Sequence, residues 1–199
     1  MTPRPDVSAE RREQILDTAE SVFAKRGFHE TRMDDIVSES GLSKGAIYWY
    51  FKKKDDIIGA LLSRVFRRSI DALRRTAAQP GPVPGVLLRI GEQISRDYEA
   101  MSHLMPIALE FYAVALRQRS VRKHLASMYA EMLDILTPLI ESGIRRGELR
   151  AVDPREAATL LIAAYEGLGL VWAISPKTVD WKVLGPSSAA MIVEGLKKA

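Results

Sequence analysis

The chain has no cysteine and no asparagine among its 199 residues, and only 3 histidines. Without thiols there is no disulfide framework, no cysteine metal site and no thiolate nucleophile, which fits a reducing compartment. With so few histidines, no metal-ligand spacing can be read. The missing asparagine is a compositional trait of heat-adapted proteins. No Gly-x-Ser-x-Gly elbow and no phosphate loop occurs, and nothing marks a carboxylate such as Glu110 or Glu166 for acid–base work. No period-2 apolar alternation is long enough for a strand. No apolar run reaches the roughly twenty residues of a membrane span. The nearest, Ala157–Ile174, is interrupted by Glu166 and reads as a helix buried among others. Met1–Glu10 is polar and proline-bearing and lacks a signal-peptide core, so a cytoplasmic location is expected.

What is present is concentrated in residues 41–54, Gly-Leu-Ser-Lys-Gly-Ala-Ile-Tyr-Trp-Tyr-Phe-Lys-Lys-Lys. Ser43 suits an N-cap, and Gly45 leaves a helix start open to close approach. Ala46, Ile47, Tyr50 and Phe51 recur at helical spacing as one apolar face. Lys44, Tyr48 and Trp49 are left on the other face, followed by Lys52, Lys53 and Lys54. No acidic residue falls between Ser40 and Lys54. A short helix of this kind is suited to a polyanionic groove. A structural helix beside a solvated charge run is the alternative.

The upstream sequence favours the groove. Ser8 is expected to cap a first helix with Ile15, Leu16, Ala19, Val22 and Phe23 on one face, ended by Gly27. Thr31 and Asp34 have the spacing of a capping box for a second helix, in which Met33, Ile36 and Val37 face inward and which Gly41 ends. Two short helices around a tight glycine turn, after a longer one, make a helix-turn-helix unit whose second short helix enters the major groove. Bulk charge does not decide the matter. The whole chain carries a formal +4 with a pI near 9.4, yet residues 1–56 hold 10 Lys and Arg against 11 Asp and Glu. Lysine placement must therefore supply the phosphate contacts.

The pattern Ile15, Ala19, Phe23, Gly27, Thr31, Asp35, Ile36, Gly41, Ser43, Lys44, Gly45, Tyr48, Tyr50, Phe51 and Lys54 resembles the TetR family of transcriptional regulators. Gly45–Trp49 is most similar to its AcrR-type branch. The resemblance spans roughly residues 8–58. It implies DNA contacts from Arg32, Ser43, Lys44, Gly45, Ala46, Tyr48, Trp49, Tyr50 and Lys54, with Lys54 mainly on phosphate. The chain departs from the family at Ala46, where many members have a phosphate-binding Thr, and at Tyr50, where His is frequent.

Beyond residue 54 the chain reads as helices. A stripe from Ile57 to Leu73 runs to about Ala77, the loop Gln79–Gly85 follows, and further helices are expected near 84–101, 104–117, 120–146, 154–174 and 186–197. Asp153 and Pro154 make a strong helix start, and Trp181 reads as part of a covering loop. Bulky residues that suit an adaptable pocket are Phe66, Tyr98, Met101, Met105, Phe111, Tyr112, Met128, Met132, Tyr165 and Trp172, although the same spacing also suits ordinary core. His103 could pair with Glu99, and the arginine clusters at 64–75 and 117–123 read as solvated faces. By resemblance, the last two long helices form a dimer interface through Ala163, Gly167, Gly169 and Met191.

The expectation is an all-α chain of about nine helices. A three-helix helix-turn-helix module (1–54) precedes a larger ligand-binding and dimerisation bundle (55–199). Such a chain would be a homodimeric regulator, without a cofactor or membrane partner, released from a near-palindromic operator by a small hydrophobic effector. A regulator without small-molecule gating and a helical enzyme are the alternatives.

Overall fold

The computed structural model describes residues 7–198, with side-chain surroundings given for all of these except Val7, His103, Pro106, Glu110, Phe111 and Ser120. The described residues form nine α-helices and no strand: α1 (Val7–Arg26), α2 (Met33–Ser40), α3 (Lys44–Tyr50), α4 (Lys54–Ala77), α5 (Val83–Ala100), α6 (Met105–Arg117), α7 (Arg119–Arg145), α8 (Pro154–Ile174) and α9 (Trp181–Leu196). A 3₁₀ turn, Ser102–Leu104, precedes α6. Two compact units result, one of residues 1–65 and 103–117, the other of residues 66–102 and 118–199. Of the α-helices, α4 alone contributes to both.

In the first unit, α1 ends where Gly27 turns left-handed at φ 78°, and its N–H still reaches Phe23 O at 2.8 Å. Gly41 ends α2 in the same way at φ 68°. Ser43 caps α3 by accepting the Ala46 N–H at 3.2 Å. Two expected caps are replaced. Ser8 lies inside α1 and is not its cap. Thr31 is buried and donates its hydroxyl back to Gly27 O at 2.7 Å, so Arg32 takes the N-cap position of α2. Asp35, not Asp34, closes this turn by accepting the Arg32 N–H at 2.7 Å. That bond, followed by the Arg26 guanidinium, holds the Asp35 carboxyl below its usual range.

The stripe Glu13, Asp17 and Glu20 on α1 converges on Arg64 of α4, at 3.0, 2.6 and 2.7 Å. Arg64 was expected on a solvated face, but its side chain is only 11% exposed. An apolar seam of Ile15, Leu16, Ile36, Ile47, Ile57, Ile58 and Leu61, each at most 1% exposed, marks the core of this unit.

The second unit is built on a cluster of Leu73, Val86, Leu87, Ile90, Leu136, Ile140, Ala158, Leu161 and Val193, with their neighbours. Asp153 accepts the Arg155 and Glu156 N–H groups, each at 2.9 Å, and starts α8. The last helix starts earlier than expected. Asp180 caps it, Trp181 is its first residue at 2% exposure, and Pro186 lies within it. Arg67 and Arg74 of α4 meet Glu131 of α7 at 3.0 and 2.5 Å and lower its carboxyl pKa. Helices α5 and α9 pack without side-chain spacers. A Cβ on Gly91 would fall 2.4 Å from both Ala189 Cβ and Tyr165 Oη, and one on Gly185 would fall 1.8 Å from Ser95 Oγ.

This packing gives a contrast between two helical glycines. Gly91→Ala is expected to destabilise the chain by about 1–3 kcal/mol through overpacking. Gly59→Ala, where a Cβ meets open space, should stabilise it by up to about 1 kcal/mol through helix propensity. Urea unfolding of both variants checks the pair, and equal effects would contradict the α5–α9 contact.

Candidate functional site

Helix α3 is only seven residues long, so its outward face is set by what it buries. Ile47 is fully buried and Phe51, just after the helix, is 3% exposed. Ser43, Lys44 and Gly45 are then exposed, Trp49 stands out at 68%, and Ala46, Tyr48 and Tyr50 are half-buried. A Cβ on Gly45 would touch nothing within 4 Å, so the backbone there can be approached closely. Lys44 Nζ lies 2.7 Å from Asp34 and 5.8 Å from the Tyr48 ring centre. Asp34 raises the Lys44 pKa, but an exposed pair of this kind is a weak restraint, and Lys44 can exchange Asp34 for a phosphate or base edge at little cost. Trp49 meets Tyr50 edge-on at 4.6 Å, and the Tyr50 hydroxyl lies 3.4 Å from Ser8 Oγ. Arg32 is exposed at the start of α2. Lys52 donates to Tyr48 O at 2.6 Å and closes the end of α3.

The residues expected to line a pocket do not share one place. Met105 and Tyr112 are half-buried on α6 in the first unit, and the Phe111 side chain lies outside the described residues, as does that of His103. Phe66, Tyr98, Met101, Met128, Met132, Tyr165 and Trp172 belong to the second. Met128 is buried and Met132 packs on the main core cluster, both as core side chains. Tyr165 is 5% exposed and donates to Gly185 O at 3.1 Å; burial pushes its phenol up to about 12. It therefore ties α8 to α9. Tyr98 stacks on Trp181 at 4.4 Å, and Trp172 meets Trp181 edge-on at 6.2 Å. Burial, then the nearby Glu166 and Tyr129, raise the Tyr98 phenol well above its ordinary value. Beside this aromatic group lies a cleft whose walls include Trp172, Trp181, Glu99 and Asp180. Of these only Trp172 was expected to line a pocket. The signal for Trp181 was Asp180, a helix cap obscured by Pro186.

Of the four expected interface residues, Ala163 and Gly167 face solvent on α8, and Met191 on α9 is 65% exposed. Gly169 is the exception. It is buried, and a Cβ there would fall 2.5 Å from Tyr98 Cε1. Its missing side chain makes room for Tyr98 within the same chain and does not serve a partner.

Lys54 also differs from expectation. Its ammonium donates to Phe28 O at 2.5 Å, Thr31 O at 2.7 Å and His29 O at 3.2 Å, and lies 4.1 Å from the Phe28 ring centre. All three donors are thus spent on the loop between α1 and α2, so the expected phosphate anchor is a brace for the reading head. Lys54→Met should lower stability by about 1–3 kcal/mol through lost charge-assisted hydrogen bonds. Thermal unfolding measures this. Unchanged stability with a salt slope of DNA binding reduced by about one would restore the phosphate role.

The geometry agrees with comparisons to known proteins. Residues 15–61 match the family described as Bacterial regulatory proteins, tetR family, and residues 86–184 match BetI-type transcriptional repressor, C-terminal. The fatty acid metabolism regulator protein of Bacillus subtilis is 24% identical over 188 residues, covering 92% of this chain and 94% of its own. The HTH-type transcriptional regulator AcrR of Shigella flexneri is 28% identical over 194 residues, covering 93% and 88%. The crystal structure of a regulator from Saccharomonospora viridis in complex with choline shares the fold, with a TM-score of 0.82 at 23% identity, covering 96% and 100%. With its helix-turn-helix module and its larger helical segment both matched, the chain belongs to the TetR family of transcriptional regulators, which are DNA-binding proteins and not enzymes.

Proposed function

We propose that this chain is a cytoplasmic homodimeric repressor that reads a near-palindromic operator through α3 of each copy and leaves it when a small molecule binds the second unit. The observation that carries this reading is the composition of the free face of α3: Lys44, Gly45 and Trp49 exposed, Tyr48 half-exposed, and no acid on the helix itself. Lys44, Tyr48 and Trp49 read base edges. Arg32, Ser43, Ala46 and Tyr50 border that contact, and Lys54 acts from behind as a brace. The functional division lies at residues 54/55, where α4 begins. That helix carries the coupling, because it runs unbroken from Ile57 and Ile58, buried in the head's unit, to Leu73 in the core cluster of the other. A ligand shifts the balance of states only by its differential affinity for them, and operator DNA must weaken ligand binding by the same factor. The choline-bound relative supports a small-molecule ligand for this fold.

The exposed face of α8 supports the dimer. Leu160, Ala163, Gly167, Leu170 and Ile174 fall at alternating spacings of three and four and all face solvent, as do Val183 and Met191 on α9. Helix α8 is also long and apolar enough to cross a membrane, with a mean hydropathy of 1.7. Its opposite face, with Ala157, Ala158, Leu161 and Tyr165, is buried in the chain's own core, so one stripe is left to cover. A second copy covers it by presenting the same stripe about a two-fold axis.

Two substitutions test these parts separately. Gly45→Ala has room in the free protein, so stability should hold or rise while operator affinity falls at least about tenfold from lost close approach. Undiminished affinity would remove α3's backbone from the contact. Ala163→Asp places a charge on an exposed position of the single chain but buries it in the dimer. Sedimentation at micromolar concentration should show monomers that keep their helicity and lose most operator affinity. A variant that remains dimeric would contradict the α8 interface.

A further inference from the structure

Three helix ends of the second unit meet at a cleft of about 490 Å³ whose walls include Glu99, Trp172, Lys177, Asp180 and Trp181. Two of these ends are carbonyl ends: α5 stops at Ala100 and α8 at Ile174, and each brings partial negative charge. The third is the N-terminus of α9, which Asp180 already closes by accepting the Lys182 N–H at 3.0 Å. Glu99 and Asp180 supply two carboxylates against the one ammonium of Lys177, which is exposed on a flexible stem. The wall behind them is aromatic. Trp181, 2% exposed, is held in place by its stack on Tyr98 with planes 8° apart, and Trp172 stands half-buried at 77° to it. The Trp181 indole N–H is buried and has no hydrogen-bond partner within the described residues, so the protein itself supplies this donor with no acceptor.

Indole faces attract cations and repel anions through the ring quadrupole. The carboxylates and the two carbonyl ends act in the same direction, so three independent features agree on the sign of the ligand. We propose that this cleft binds a small organic cation, an ammonium with apolar substituents, held against Trp172 with Glu99 and Asp180 as counter-charges. The inference rests on the reading of the second unit as a ligand sensor and names the class of ligand it senses.

Phenyltrimethylammonium is the probe, with N,N-dimethylaniline as its near-isosteric neutral partner and benzoate as the anion. Calorimetry and tryptophan fluorescence on the full chain without DNA should give saturable binding of phenyltrimethylammonium, at least about tenfold tighter than the neutral compound and weakened by salt. Benzoate should not bind. Trp172→Leu and Glu99→Gln should each weaken the cation about fivefold or more, and Lys177→Ala should tighten it. Glu99 is on the surface, so Glu99→Gln tests the site even if Trp172→Leu disturbs folding. Equal affinity for cation and neutral compound, indifference to Glu99→Gln, or no saturable binding up to about 10 mM would overturn the proposal. Because no DNA is present, such a failure would leave the operator-reading account to its own tests.

Discussion

A helix of seven residues has almost no stability of its own in water, so α3 exists only because the rest of its unit holds it. Three devices do so. Ile47 is fully buried beneath the helix, Ser43 caps its first turn, and Lys52 returns to the Tyr48 carbonyl at its end. The start of α4 is fixed in turn by Lys54, whose ammonium collects three carbonyls of the preceding loop. The precision of the presented face therefore comes from residues that need never touch DNA. The exposed side chains can vary without cost to the scaffold, which suits a module whose outward residues set sequence preference.

Charge follows the same division. The head is nearly neutral in bulk, yet its acids are not scattered. Glu13, Asp17 and Glu20 are gathered on Arg64, and Asp35 is engaged by Arg26 and the backbone of Arg32. These pairings keep carboxylates away from α3, so three lysines and two amphiphilic aromatics face a polyanion with little opposing field. Asp34 is the exception, since it sits 2.7 Å from Lys44. An exposed pair is weak and screened by salt, so it can park the lysine in the free protein and release it on binding.

Most of the fold was legible because its punctuation is local. Gly27, Gly41, Ser43 and Asp153 each stop or start a helix through their own backbone or side chain, and each does so here. Misreadings came where the deciding partner is far away in the chain. Lys54 looks like the end of a charge run until the carbonyls 23–26 residues earlier are in place. Gly169 looks like one more small residue on an apolar helix. Tyr98, some seventy residues before it, decides that it faces inward while Ala163 and Gly167 face out. Pro186 suggested a helix start, and packing of Trp181 on Tyr98 and Trp172 carried α9 past it. The pocket was the least legible part, since methionine and aromatic spacing is the same for core and cavity. Glu99 and Asp180 became candidates only once the helix ends had converged.

The central claim is that paired copies of α3 read a defined duplex sequence. Selection of random duplex DNA by the purified chain, followed by sizing of the complex, tests it most directly. The account predicts an enriched near-palindrome whose half-sites lie one or more helical turns apart, at roughly 10–10.5 base pairs per turn, bound by an even number of chains. Enrichment of no sequence, or of a single half-site bound by one chain, would contradict it.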